Sequence, residues 1–249
     1  MMEAFFKLYE PLHRHAPGND DITLAVIRDL PDRIQKRAGD ISVLDLGCGK
    51  GRQTRVLALE LAARVTSVDT YQPFLDDLLE QAQKDGLKDR IKTLCTSFLE
   101  TDGIPGNADL IWSEGAIYLA GLENGLSLWG NLLKPDGVIV VSEAVWLTDN
   151  PSSQTRDFWQ AAYPDMETID GTIRKVEQAG FNVLGTRILP SEAWWDEYYI
   201  PLEERMELLA DENDVPLTAV IAETRKEIDI CREYGNEYGY LFLIMEKKS

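Results

Sequence analysis

Apolar residues along this chain alternate between short continuous runs and helical-period stretches. Ile41 to Leu46 is a compact apolar run that ends in glycines, which predicts a strand buried on both faces. Comparable runs stand at Val65 to Val68, Ile91 to Cys95, Ala108 to Trp112, Val138 to Ser142, Phe181 to Leu189 and Tyr240 to Met245, giving seven strands. Between them the apolar period lengthens to that of a helix: Ile22 to Ala38 with Asp20 or Asp21 as cap, Gly51 to Leu61, Pro73 to Lys84 with Gly86 as stop, Glu123 to Leu133 ended by the turn Lys134-Pro135-Asp136-Gly137, and Gly171 to Ala179. This strand–helix alternation predicts an α/β fold, a mostly parallel sheet with helices on both faces.

Two stretches exceed what such a sheet needs, 150–170 and 190–238. We read them as helical cap insertions, and residues 1–39 as an N-terminal helical segment or lid, within a single domain spanning 1–249. Helix Pro216 to Tyr234 reads as amphipathic, with Val220, Ile221 and Ile228 opposite Glu223, Lys226, Glu227, Arg232 and Glu233, and packs on the cap or on a second copy of the chain; a homodimer is therefore left open.

Charge narrows the partners. Among 249 residues, acidic side chains outnumber basic ones 43 to 25, for a formal net charge of −18, and no Lys/Arg-rich run interrupts the acidic background. Such a surface repels phosphate backbones and anionic membranes, so neither nucleic acid nor a membrane is expected as partner. No apolar run approaches the roughly 20 residues needed to span a bilayer, and the start lacks a basic stretch before an apolar one, which points to the cytoplasm. Cys48, Cys95 and Cys231 lack metal-ligand or redox spacing, so no metal is expected.

The chemistry concentrates in Asp45-Leu46-Gly47-Cys48-Gly49-Lys50-Gly51, three glycines at alternate positions between a buried strand and a helix. Such a loop lets a ligand approach backbone N–H groups at a helix start. It departs from the G-x-G-x-x-G of dinucleotide binding, with Arg52 at the third glycine's place, and lacks the Lys-Ser/Thr ending of a phosphate loop. Eighteen residues beyond Gly51, the second strand ends in Asp69, where a carboxylate can accept from both hydroxyls of a ribose.

Together these residues resemble the class I S-adenosylmethionine (AdoMet)-dependent methyltransferase superfamily, over Asp40 to Gly180 plus the last two strands. The resemblance implies a Rossmann-like sheet of order 3-2-1-4-5-7-6, AdoMet as cofactor with S-adenosylhomocysteine as product, and a small-molecule methyl acceptor, in a branch similar to quinone-biosynthesis methyltransferases. It implies that Asp45, Gly47, Gly49 and Gly51 serve the methionine end, Asp69 the ribose, Tyr71 the adenine face, Ser97 and Phe98 the adenine edge, and that Ser113 borders the cofactor. Trp112 to Tyr118 follows the fourth strand where cofactor and substrate meet in the family. The acidic and amide set of metal-dependent catechol methylation and the Asn/Asp-Pro-Pro-Tyr motif of adenine methylation are both missing.

Catalysis by alignment and water exclusion leaves few residues to name. Glu114 and His15 are the candidate acid–base groups, His13 being a second histidine in the same turn. Glu114 and Glu123 also resemble, in spacing, the double-carboxylate loop that grips a guanidinium in protein arginine methyltransferases, although Glu123 equally favours a helix N-terminus. Glu114, Tyr118, Glu143, Trp146 and Trp194 are candidate substrate-lining residues, Glu143 and Trp146 because ligands of open α/β sheets bind at the carboxyl edge. Competing readings are an AdoMet-binding sensor or accessory protein without catalysis, and an NAD-dependent oxidoreductase, which Arg52 disfavours.

Overall fold

The computed structural model describes residues 2–37 and 41–248. Its centre is one sheet built from β1 (Ser42–Leu46), β2 (Arg64–Asp69), β3 (Ile91–Cys95), β4 (Ala108–Ser113), β5 (Leu133–Trp146), β6 (Glu167–Thr168), β7 (Phe181–Ile188) and β8 (Tyr238–Lys247). The order is β3-β2-β1-β4-β5-β8-β7, with the two-residue β6 paired to the end of β5. This is the predicted 3-2-1-4-5-7-6 arrangement once β6 is counted, since it shifts only the last two labels. Strands β1 to β5 pair in parallel, whereas β8 lies antiparallel between β5 and β7, with Trp146 opposite Tyr238 and Ile188 opposite Leu241.

The apolar runs are continuous because both faces are covered. All six residues of β4 and four of five in β1 are buried. Alternate residues feed two cores: Val43, Val138 and Val140 face one, Leu44, Ile139 and Val141 the other. The first core is closed by the N-terminal helices, helix Arg52–Glu60 and the C-terminal cap; the second by helices Leu122–Gly130 and Ile169–Gln178.

Three predicted boundaries change. The helix expected over Ile22 to Ala38 is two helices, Asp20–Asp29 and Asp32–Gln35, because Pro31 disfavours a helical residue before it and Leu30 is extended; the predicted end at Ala38 lies outside the described residues, as does Asp40. Its cap is Asn19, whose Oδ1 accepts from the Ile22 amide at 2.8 Å, in place of Asp20 or Asp21. The Lys134 to Gly137 turn does not end a helix, which has already stopped at Gly130. It belongs to the start of β5, where the register with β4 shifts between Ala108 and Leu110.

A short helix Met2–Tyr9 precedes the predicted elements. The stretch 150–170 holds helix Ser153–Ala162, and 190–238 holds a continuous helical path from Glu192 to Leu208, with a π-helical turn at Trp195–Tyr199, followed by helix Val215–Tyr234. Among the described residues no helix is long and apolar enough to cross a membrane.

Candidate functional site

The loop after β1 is held in a strained shape by its surroundings. Gly47 sits at φ +73°, and a Cβ there would lie 2.5 Å from that of Ala116, so only glycine lets the loop pass this close to the segment after β4. Gly51 at φ +67° would drive a Cβ to 2.3 Å from Leu78, so its missing side chain faces the next helix and not a ligand. Beneath the loop, buried Asp45 accepts from Thr54 and, at 3.2 Å, from Gln53 Nε2, which also donates to the Cys48 carbonyl. Burial pushes the Asp45 carboxyl up to about 7.

Asp69 faces this loop across a cavity of 250 Å³. One carboxylate oxygen accepts from the Gly49 amide at 2.9 Å, the other from the Tyr71 amide at 3.0 Å. Each oxygen retains a lone pair for a hydroxyl donor. Gly47, Gly49, Gly51, Phe98, Glu114, His15 and Tyr118 border the same cavity.

Four predicted cofactor residues do not border it. Asp45 and Ser113 lie under the loop, Ser113 donating to the Leu46 carbonyl at 2.8 Å; both support the backbone. Ser97 turns back on its own segment, accepting from the Leu99 amide. Tyr71 is stacked on Phe6 at 4.0 Å and donates to Glu10, so Thr70 and Phe74 stand at the wall in its place. The sequence did not point to Phe6 or Arg14 as site residues, because Tyr71 and Glu114, which they meet at the site, lie 65 and 100 positions away.

Glu114 is locked from one side. Its Oε1 accepts from Trp112 Nε1 and Thr23 Oγ1, each at 2.8 Å, while Oε2 meets no hydrogen-bond donor and lies 3.6 Å from Arg14. Burial raises its pKa, and Arg14, Trp112 and Thr23 oppose that rise. The buried Arg14 guanidinium also meets Asp20 at 2.7 Å and Glu197 at 3.0 Å. His15 stacks on Phe74 at 4.1 Å with Nε2 3.1 Å from the Tyr9 carbonyl, so that nitrogen carries the proton and Nδ1 is an acceptor. Burial, and then Lys50, lower its pKa to about 4, leaving it neutral near pH 7. His13 is exposed on the rim.

A second cavity, of 240 Å³, lies against the first, and His15, Ala16, Pro17, Gly115 and Tyr118 border both. Its other walls include Glu143, Tyr163, Trp194, Tyr198, Glu227 and Tyr240. Trp194, Tyr118 and Glu143 therefore meet as predicted substrate-lining residues. Trp146 does not join them: Trp159 and Tyr163 stand between, and it lines a separate depression with Pro151 and Arg156. Glu123 is likewise removed, exposed on another depression, so Glu114 and Glu123 cannot grip one ligand together. Glu227, read as part of a solvated helix face, is instead half-buried and accepts from Tyr199 at 2.8 Å.

Residues 43–137, from β1 to the start of β5, match the methyltransferase domain family. Beyond that stretch the chain resembles known methyltransferases. It is 26% identical over 155 residues to a sterol 24-C-methyltransferase of Neurospora crassa, covering 58% of this chain and 40% of that one. The chain spans about half the length of the curated relatives it matches. Its fold superposes with TM-score 0.83 and 19% identity on a SAM-dependent methyltransferase from Geobacter sulfurreducens in complex with S-adenosyl-L-homocysteine, covering 99% of this chain and 98% of that one. It also superposes on the [4+2]-cyclase SpnF with TM-score 0.77 and 20% identity, over 98% and 94% of the two chains.

Proposed function

We propose that the protein transfers a methyl group from AdoMet to a small-molecule acceptor. The observation that carries this reading is the pair of abutting cavities: one bordered by the glycine loop and Asp69, the other by aromatic rings, with Gly115, Tyr118 and the His15 to Pro17 segment at their common wall.

The first cavity fits AdoMet by its donor set. Asp69 has two oxygens able to accept from ribose hydroxyls, Gly47 offers a wall that a side chain would fill, and Oε2 of buried Glu114, ion-paired with Arg14 but accepting no hydrogen bond, suits the cationic amino end of the methionine part. When bound, AdoMet supplies a methyl carbon activated by its sulfonium. The chain's own work is alignment of donor and acceptor across the common wall and exclusion of water. Neutral His15, with Nδ1 free to accept, is the group placed to take a proton from an acceptor; Glu114, held by Trp112, Thr23 and Arg14, positions the cofactor end.

We read residues 1–249 as one methyltransferase domain whose N-terminal segment and two insertions form a cap. A protein that only sensed AdoMet would have no use for the second cavity. The net charge of −18 supports a diffusible acceptor in the cytoplasm over nucleic acid. Exposed Leu208 and Val215, between the two cap helices, support pairing of two chains, which sedimentation velocity tests.

Calorimetric titration with AdoMet, S-adenosylhomocysteine and NADH tests the central claim. Binding of both sulfur ligands without NADH is the expected result; binding of NADH alone overturns it.

A further inference from the structure

The second cavity has an unusual charge inventory. Two carboxylates, Glu143 and Glu227, border it, and no Lys or Arg does; its one other ionisable nitrogen belongs to His15, which burial keeps neutral. Glu143 is 4% exposed, and its Oε2 has no hydrogen-bond partner. Among the described residues no basic side chain comes within 4 Å of it: Lys175, which borders a neighbouring depression together with Glu143, is 3.6 Å from Glu167 instead. A buried carboxylate without an ion-pair partner is costly to desolvate.

The surrounding walls are aromatic. Tyr118, Phe158, Trp159, Trp194, Tyr198 and Tyr240 line the same space, with Trp194 and Tyr240 centred 5.0 Å apart. Ring faces attract a cation through their quadrupole and repel an anion. Carboxylates inside a ring-walled room, with no arginine or lysine, reject phosphates and carboxylates and lack only a positive group.

Building on the methyltransferase reading, we propose that the acceptor is a small organic cation, an aliphatic amine that enters as its ammonium with the charged nitrogen against Glu143 within these rings; its proton passes to His15 Nδ1, and the freed lone pair takes the methyl from the sulfonium, leaving S-adenosylhomocysteine and the methylated ammonium. Glu143 is thus a specificity-determining residue. Consistent with a partner still to arrive, burial pushes its carboxyl up to about 7, with the Tyr163 hydroxyl and Lys175 opposing the rise and Asp165 adding to it. A bound ammonium would hold the carboxylate ionised. Glu227, already receiving the Tyr199 hydroxyl, adds negative potential from the opposite helix.

The test titrates protein saturated with S-adenosylhomocysteine with a panel of amines, each beside a neutral isostere: choline and 2-(dimethylamino)ethanol beside 3,3-dimethylbutan-1-ol, and benzyltrimethylammonium beside neopentylbenzene. At least one cation is expected to bind about tenfold or more tightly than its isostere. Glu143→Gln is expected to abolish that preference while leaving S-adenosylhomocysteine affinity unchanged, which also shows that the variant is folded. Equal affinities within every pair, tighter binding of the neutral members, or no binding by any cation to the loaded protein overturns the proposal whatever the variant does. Failure of S-adenosylhomocysteine itself to bind is a different result: it removes the cofactor reading, and the amine as methyl acceptor falls with it.

Discussion

Replacing Asp69 by alanine tests the cofactor site at its most defined point. The carboxylate holds two backbone amides, those of Gly49 and Tyr71, and has one lone pair per oxygen free for a ribose hydroxyl. A hydrogen bond to a charged group contributes about 1.5 kcal/mol at the lower end, the fitting value for a half-buried acid, so losing two costs about 3 kcal/mol. At about 1.4 kcal/mol per tenfold, calorimetry should find S-adenosylhomocysteine bound roughly 100-fold more weakly. The variant also frees the loop, and a second ligand separates the two effects. A 2′,3′-dideoxy analogue cannot use the carboxylate, so it should bind wild type weakly and barely distinguish wild type from Asp69→Ala. If the analogue loses as much affinity as the parent ligand, Asp69 acts by shaping the loop; if neither changes, it is outside the site.

Glu114→Gln should lower AdoMet affinity by about 1.5 kcal/mol or more through loss of the charge at Oε2, and isothermal titration showing equal affinity would reduce Glu114 to a structural role. Gly51→Ala should destabilise by about 3 kcal/mol in a denaturant melt, combining strain at φ +67° with the Leu78 clash, whereas Gly86→Ala, at φ +72° with nothing nearby, should cost about 1 kcal/mol; equal losses would refute the packing argument. Asp45 binds its proton more tightly folded than unfolded, so its contribution to stability is full below pH 4 and is lost as pH rises to about 7. The Tm difference between Asp45→Asn and wild type should therefore widen in the variant's favour across that range, and parallel curves would show that the carboxyl is not perturbed.

What was legible in the sequence is what the chain writes locally. The loop from Asp45 to Gly51 and the carboxylate of Asp69 follow from turn chemistry and strand ends, which depend on neighbours in sequence. The break at Pro31 was hidden because apolar spacing runs on through it, although a proline's effect on Leu30 was there to be read. Glu143 was found from the sheet-edge rule; Trp146 failed under the same rule, because only the packed position of Trp159 decides which side chains beyond the edge reach the cavity. Tyr163, Glu227 and Tyr240 meet there from three distant segments, and no spacing announces that. The burial of Glu227 was obscured by the exposed charges beside it on the same helix.

The antiparallel β8 has a further consequence, for the order in which the molecule is made. It fills the gap between β5 and β7, so β7 has no partner strand until the stretch from Tyr238 to Lys247 has been synthesised. The half bearing the glycine loop and Asp69 can pair as it leaves the ribosome, while β5 and β7 wait with open edges. Nascent chains stalled before Tyr238 should therefore present two sticky strand borders, the form in which this protein most needs a chaperone.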